Sequence, residues 1–401
     1  MGDLEALAPA LGGALRFHDP VPVDGVPVSA TLTPPDEHAL AAALVSLGEA
    51  RCVAIPRGAG TQLWLGNTPR RADCFLSLEA FSGVDELDAS EGVCHARAGT
   101  PLAELRAQVH EAGWELPLDD AGRGGTLGGA LATAALAPRA LGFGRPRDVV
   151  LGCEVVLADG TRTRCGGRVV KNVTGYDMAR LYTGSLGAIG VITGAWLRLR
   201  PRPEVVRVLQ GDELPDGEAC RIGSDAARRS TARSCLLSAE TRGLRPTVEL
   251  AGDEASVAHD LEQLGREGLR LANPALRDAA ATRRFAGLPG TLRFAISYLP
   301  ARLEACVAAL RACELELLVL PGLSLVCAYG AASKAGELFG AVERTAREAG
   351  GRHVCELAPA EAKRGRDVFA APHSEVSLSS ALKARFDLNG VLNRGRFAGG
   401  V

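Results

Sequence analysis

Hydrophobic positions switch between two periods along the first half of the chain, and glycine-rich breaks separate the runs. Leu40, Leu44 and Leu47 recur at helical spacing behind Pro34, Pro35 and the acidic pair Asp36 and Glu37, a helix start signal. Short apolar runs at 52–55, 75–78 and 93–98 predict strands. Leu102, Leu105 and Val109 predict a second helix, capped by Thr100, opened by Pro101 and ended by Gly113. Residues 148–157 and 161–165 read as a hairpin about Asp159-Gly160. A helical turn at 177–182 and a long strand at 191–199 follow. Pro201 and Pro203 then interrupt the chain, and a domain boundary is expected there.

Beyond that point strands at 247–250, 292–298 and 323–329 alternate with helices at 254–266, 301–313 and 334–349. This predicts an α+β layer with helices on one face of a sheet. The most apolar stretch, 315–332, is interrupted by Glu316, Pro321 and Gly322 and reads as a buried strand pair. No uninterrupted apolar run reaches the roughly 18 residues that a membrane span needs. The last segment, 374–401, is expected to hold a short helix and a turn-rich stretch.

The 401 residues are 47% hydrophobic, enough for more than one domain. A formal net charge of −2 gives no nucleic-acid footprint. Asp3 and Glu5 at the start, with no basic run, argue against a secretory signal and for a cytoplasmic protein. Eleven cysteines at scattered spacings suggest neither a disulfide framework nor a metal or iron–sulfur site, so no metal is expected. They read as small buried hydrophobes in a reducing compartment.

Three glycine loops carry the candidate chemistry. In Pro56-Arg57-Gly58-Ala59-Gly60-Thr61-Gln62, glycines let backbone N–H groups converge on one point, as phosphate oxygens require. Glu79 lies at nearly the ribose spacing of a Rossmann unit, but position 63 is Leu and no helix can open before Gly66-Asn67-Thr68-Pro69. That reading fails, as does a P-loop, since Gly-Lys-Ser/Thr does not occur. The second loop, 124–133, is built almost wholly of small residues, and the third has glycines at 184, 187 and 190. Taken singly, each reads as well as an ordinary turn or close packing.

In this order, before one long strand, the three loops resemble the vanillyl-alcohol-oxidase (PCMH-type) FAD-binding family. The first is similar to its pyrophosphate loop, and the second to its Gly-Gly-x-x-Ala-Thr segment. Lys171-Asn172-Val173-Thr174-Gly175-Tyr176-Asp177 with Gly184-Ser185-Leu186-Gly187 resembles the glycolate oxidase and D-lactate dehydrogenase branch. So does Phe386-Asp387 to Leu392-Asn393.

The resemblance implies an α+β fold, with a two-subdomain FAD-binding domain over 1–202, an α+β cap over 203–373 and a return segment over 374–401. By similarity Pro56, Arg57, Gly58, Ala59, Gly60, Thr61 and Gln62 would hold the FAD pyrophosphate. Thr126, Leu127, Gly128, Gly129 and Thr133 would line the ribityl and pyrophosphate path. Gly187, Gly190 and Ile192 would flank the adenine or isoalloxazine. No histidine occurs in 52–66, so the FAD would be non-covalent.

The Gly-Asp-Gly-Asn-x-His segment of the catalytic hydroxy-acid members is absent. Leu186 replaces an acidic residue, and Leu388 and Arg394 replace prolines. These departures resemble the smaller flavin subunits of bacterial glycolate oxidases. They imply an electron-relay or structural FAD subunit, partnered by a larger catalytic flavin subunit and an iron–sulfur subunit. Membrane association would then be peripheral, through those partners. A stand-alone FAD oxidase of a small alcohol or lactone is an alternative, with Tyr298, Tyr329, His353 or Glu375 as base. A structural subunit with a vestigial FAD site is another.

Overall fold

A computed structural model describes residues 4–168, 176–285 and 290–401. Three main sheets order the chain. The first holds Leu15–Val23, Val26–Leu32, Cys74–Ser77 and Ala54–Arg57, in that spatial order. Its first pair is an antiparallel hairpin; the other pairings are parallel. The helix Glu37–Glu49 makes the connection, with the Asp36 carboxylate accepting from Ala39 N–H at its start and Leu40, Leu44 and Leu47 fully buried.

The second sheet is antiparallel throughout: Val84–Asp88, Val93–Arg97, Val191–Arg198, Val150–Val156 and Arg162–Gly166. The long strand expected after the third glycine loop therefore sits at its centre. Both sheets share one core with the helices Glu37–Glu49 and Leu102–Glu111. One capping expectation fails. Pro101 precedes the helix Leu102–Glu111, and no side chain caps it. Thr100 instead ties its hydroxyl to the N–H and C=O of Gly83, satisfying a neighbouring loop.

The third sheet has eight strands. Their order is Arg270–Leu271, Val205–Gln210, Leu244–Gly252, Ala232–Ala239, Glu316–Leu320, Leu325–Ala331, Thr291–Ser297 and His353–Leu357. The strand pair expected within 315–332 is present as an antiparallel ladder. The strands Val205–Gln210 and Ala232–Ala239 and the helix Asp216–Ala227 went unread in the sequence.

Alternation splits this sheet into two faces. Leu292, Phe294 and Ile296 pack with Val307, Leu310 and Val342 of the helices Leu303–Arg311 and Ala335–Glu348. The opposite face carries Leu236, Leu318 and Cys327, packed by Leu136 and Ala280, together with the buried charged side chains Glu249, Arg293 and Glu356. Helices thus cover one face as expected, and the glycine-loop half of the molecule covers much of the other.

The C-terminal helix is longer than expected, His373–Phe386. The chain then returns to the first sheet. Ala54 N–H donates to Val391 C=O, and Asn393 N–H donates to Ala54 C=O. Lys383, buried, donates to Ala188 C=O at 2.7 Å, to Asp387 at 2.6 Å and to Leu392 C=O.

Candidate functional site

A cleft of about 700 Å³, partly open to solvent, lies where the first two glycine loops meet. All of 56–62 lines it, as do Gly125, Thr126, Gly129, Ala130 and Thr133. The strand Ala54–Arg57 ends at the first loop, and Gly60 supplies its positive φ of 75°. Gly58 has a different task. A Cβ built there would collide with the Thr126 hydroxyl, so glycine at 58 is what lets the two loops touch.

Thr126 caps the short helix Leu127–Thr133, its hydroxyl accepting from Gly129 N–H at 3.3 Å. At the other end Thr133 donates its hydroxyl to Gly129 C=O, and Ala134 terminates the helix in left-handed backbone.

The expected residues do not all reach this cleft. Leu127 is fully buried in the core. Gly128 faces away; a Cβ there would strike Ala98 at 2.8 Å. A Cβ at Gly190 would strike Val155 at 2.6 Å, so that glycine serves strand packing. Ile192 is a buried core residue. Gly187 packs beside Pro56 behind the cleft wall, and the wall itself is Leu186, held at a φ of 55°. Of the Lys171–Asp177 motif, 171–175 lie outside the described residues.

Four polar or charged lining residues were not singled out as ligands: Asp120, Arg123, Asn393 and Arg396. Arg123 immediately precedes the second glycine loop, and Asn393 sits inside the C-terminal motif, so both were within reach of the sequence. Arg396 carried no signal. It is 3% exposed, and its Nη2 donates to Leu63 C=O at 2.6 Å, bracing the first loop.

Several buried polar atoms here have no hydrogen-bond partner among the described residues. They include Gln62 Oε1, Arg123 Nη1, Asn393 Oδ1 and Arg396 Nη1, all on residues lining this cleft. Leaving such atoms bare costs roughly 1–3 kcal/mol each, more when charged. The Arg123 N–H needs an acceptor, as an anion offers, and the two amide oxygens need donors, while Arg396 Nη1 faces the Asp24 carboxylate at 3.7 Å.

The cleft abuts a concentrated positive charge. Arg123 lies over the Phe285 ring at 3.4 Å from its centroid, with Arg284 at 4.4 Å from the same centroid. Arg293 stacks on Trp64 at 4.2 Å. Glu356 bridges Arg284 and Arg293 at 2.7 and 3.1 Å. Burial, and after it the Arg284 charge, push the Arg123 guanidinium down to about 10, against the opposing pull of Asp120.

None of the four candidate bases lines the cleft. Tyr298 is buried, its hydroxyl 3.5 Å from Pro321 C=O. Tyr329 donates to Arg283 C=O at 2.7 Å. His353 packs edge-on to Phe294, and burial pushes its pKa below 6.5. Glu375 pairs with Arg352. Among the described residues no cluster of metal ligands occurs, and no helix is long and apolar enough to cross a membrane.

Residues 28–166 match the family described as FAD binding domain, so this part of the chain is an FAD-binding domain of the PCMH type and FAD is its cofactor. Among curated relatives, the chain is 39% identical over 130 residues to glycolate oxidase subunit GlcE of Escherichia coli (strain K12), covering 32% of this chain and 37% of that one. It is 32% identical over 181 residues to glycolate oxidase subunit GlcD of Bacillus subtilis (strain 168), covering 45% and 38%. D-lactate dehydrogenase of Archaeoglobus fulgidus is 38% identical over 153 residues, covering 38% and 34%. The chain thus spans less than two fifths of the length of each. An alkyldihydroxyacetonephosphate synthase structure superposes with a TM-score of 0.67 at 14% identity, covering 98% of this chain and 84% of that one. That likeness establishes the fold.

Proposed function

We propose that this chain is a non-covalent FAD subunit of a cytoplasmic 2-hydroxy-acid oxidase complex acting on glycolate, and that it relays electrons or supports the assembly rather than oxidising substrate itself. Its partners would be a larger catalytic flavin subunit and an iron–sulfur subunit. The observation that carries the FAD site is the cleft between the first two glycine loops, with its orphaned Arg123, Arg396, Gln62 and Asn393 atoms. FAD, when bound, supplies a two-electron acceptor that can also release electrons singly.

In this reading 56–62, Thr126, Gly129 and Thr133 hold the cofactor's phosphates and ribityl chain, and Arg123 and Arg396 offset its negative charge. The FAD-binding part would be 1–202 with 374–401 returning onto it, and 203–373 the cap. The relay role is favoured because none of Tyr298, Tyr329, His353 and Glu375 lines the cleft. The names of the relatives support the substrate class and the multisubunit setting.

The test is a visible spectrum of the purified chain before and after acid precipitation, followed by glycolate turnover with an artificial acceptor. Flavin released into the supernatant and no turnover are expected. Flavin retained in the pellet would overturn non-covalent binding. Turnover by the chain alone would overturn the relay role. A folded protein that stays colourless after added FAD would point to a vestigial site.

A further inference from the structure

Two of the eleven cysteines stand apart from the rest. Cys153, on the strand Val150–Val156, and Cys165, on the strand Arg162–Gly166, are direct partners in an antiparallel ladder. Their sulfurs are 3.3 Å apart. Directly opposed residues in such a ladder have Cα atoms about 4.5–5.5 Å apart, inside the roughly 4.4–6.8 Å window that a disulfide spans.

The next pair along the ladder is Gly152 and Gly166. A Cβ on Gly152 would collide with Gly167 N, and one on Gly166 with Leu151 O, so two glycines draw the strands together beside the thiols. The strand Arg162–Gly166 is the outer edge of its sheet. Cys165 is accordingly half-buried, whereas Cys153 is 3% exposed. One thiol can therefore be reached from solvent, and the second waits behind it.

We propose that Cys153 and Cys165 are a thiol-modification site, closing reversibly into a cross-strand disulfide by exchange with a low-molecular-weight disulfide. The Cys165 thiolate attacks one sulfur of the small disulfide and releases one small thiolate, leaving a mixed disulfide on Cys165. The Cys153 thiolate then attacks Cys165 Sγ, forms the Cys153–Cys165 bond and releases the second small thiolate. The two protons lost by the protein thiols pass to the two small thiolates. The protein dithiol is oxidised by two electrons and the small disulfide is reduced by two.

The chemistry of the thiols matches the first step, in which Cys165 is the attacking group; for the second step Cys153 relies on its position 3.3 Å from Cys165 Sγ. The hydrogen bond with Cys153 holds the Cys165 thiol below its ordinary value, while that same bond and burial push Cys153 up. Burial pushes Cys94, Cys220, Cys235 and Cys355 up to about 12, which leaves them poor nucleophiles. Closing the bond staples the edge strand to its neighbour just before Arg168, which pairs with Glu86 and Asp88 on the strand Val84–Asp88.

The purified full chain is equilibrated in buffers of graded oxidised-to-reduced glutathione ratio, acid-quenched, alkylated, digested and mapped by mass spectrometry. The expected result is a peptide pair linked through Cys153 and Cys165, lighter by two hydrogens, that grows with the ratio and disappears with excess dithiol. C165S should yield no linked peptide and leave Cys153 reduced. Glutathione retained on Cys165 without linkage would overturn the proposal. So would full alkylation of both thiols at every ratio, or Cys153 linked to a different cysteine in C165S.

Discussion

Gly58 and Gly60, two positions apart in one loop, illustrate how one residue type serves two purposes. The sequence suggests positive φ for both, yet only Gly60 adopts it. Gly58 is needed because Thr126 occupies the space where its Cβ would stand. Gly58→Val therefore pushes the first two loops apart whatever its backbone angles. The expected outcome is a folded protein that has lost its FAD, read as the flavin-to-protein absorbance ratio after desalting. Undiminished flavin in folded Gly58→Val would show that 56–62 does not hold the cofactor.

At the scale of elements, the exposed-looking positions of the eight-stranded sheet are the informative ones. In Thr291–Ser297 the apolar residues alternate with Arg293, the pattern of a strand with one wet face. Arg293 is instead fully buried, paired with Glu356 on the neighbouring strand His353–Leu357, which also holds Arg284. Burial works against the Glu356 charge, but Arg284 and Arg293 outweigh it and keep the carboxyl below its ordinary 4.5.

Folded protein thus binds this proton less readily than unfolded chain. The stability it contributes is complete above pH 4.5 and is lost as pH falls through the lower folded value. Glu356→Gln leaves two buried guanidiniums without their carboxylate. It should cost about 3–5 kcal/mol in denaturant titrations at neutral pH. It should also flatten the acid limb of the stability profile. An unchanged acid limb would mean that Glu356 is not the group titrating there.

Across the whole molecule, one buried cation ties together three parts of the C-terminal return. Lys383 joins the helix His373–Phe386 to Ala188 and Leu392, and Asp387 balances its charge. Lys383→Met strands that carboxylate, which retains only the N–H donors of Val391 and Leu392. A loss of about 3–5 kcal/mol is expected. Because Asn393 and Arg396 line the cleft from this same return, flavin affinity should fall with it. A full-strength FAD titration of folded Lys383→Met would show that the return does not shape the cleft.

Local chemistry made much of this legible. Helical spacing and a cap residue marked Glu37–Glu49, and Asp159-Gly160 marked its hairpin, because each depends on neighbours in the chain. The glycine loops were visible for the same reason, and the family match over 28–166 spans the first two of them.

The failures share one cause. Thr100 had the residue type of a cap, but a loop 17 positions earlier competed for its hydroxyl. Gly128 and Gly190 looked like ligand-facing glycines, but Ala98 and Val155 occupy their open sides. The sequence by itself determined many of the elements and the two loops that build the cleft, since these follow from local backbone and side-chain preferences, while the cofactor class came from the resemblance to a family. Tertiary structure alone decided which glycines face the cleft, that Arg396 braces it, and that the charged face of the eight-stranded sheet is buried. Each of those depends on contacts between residues far apart in the chain, which no local pattern encodes.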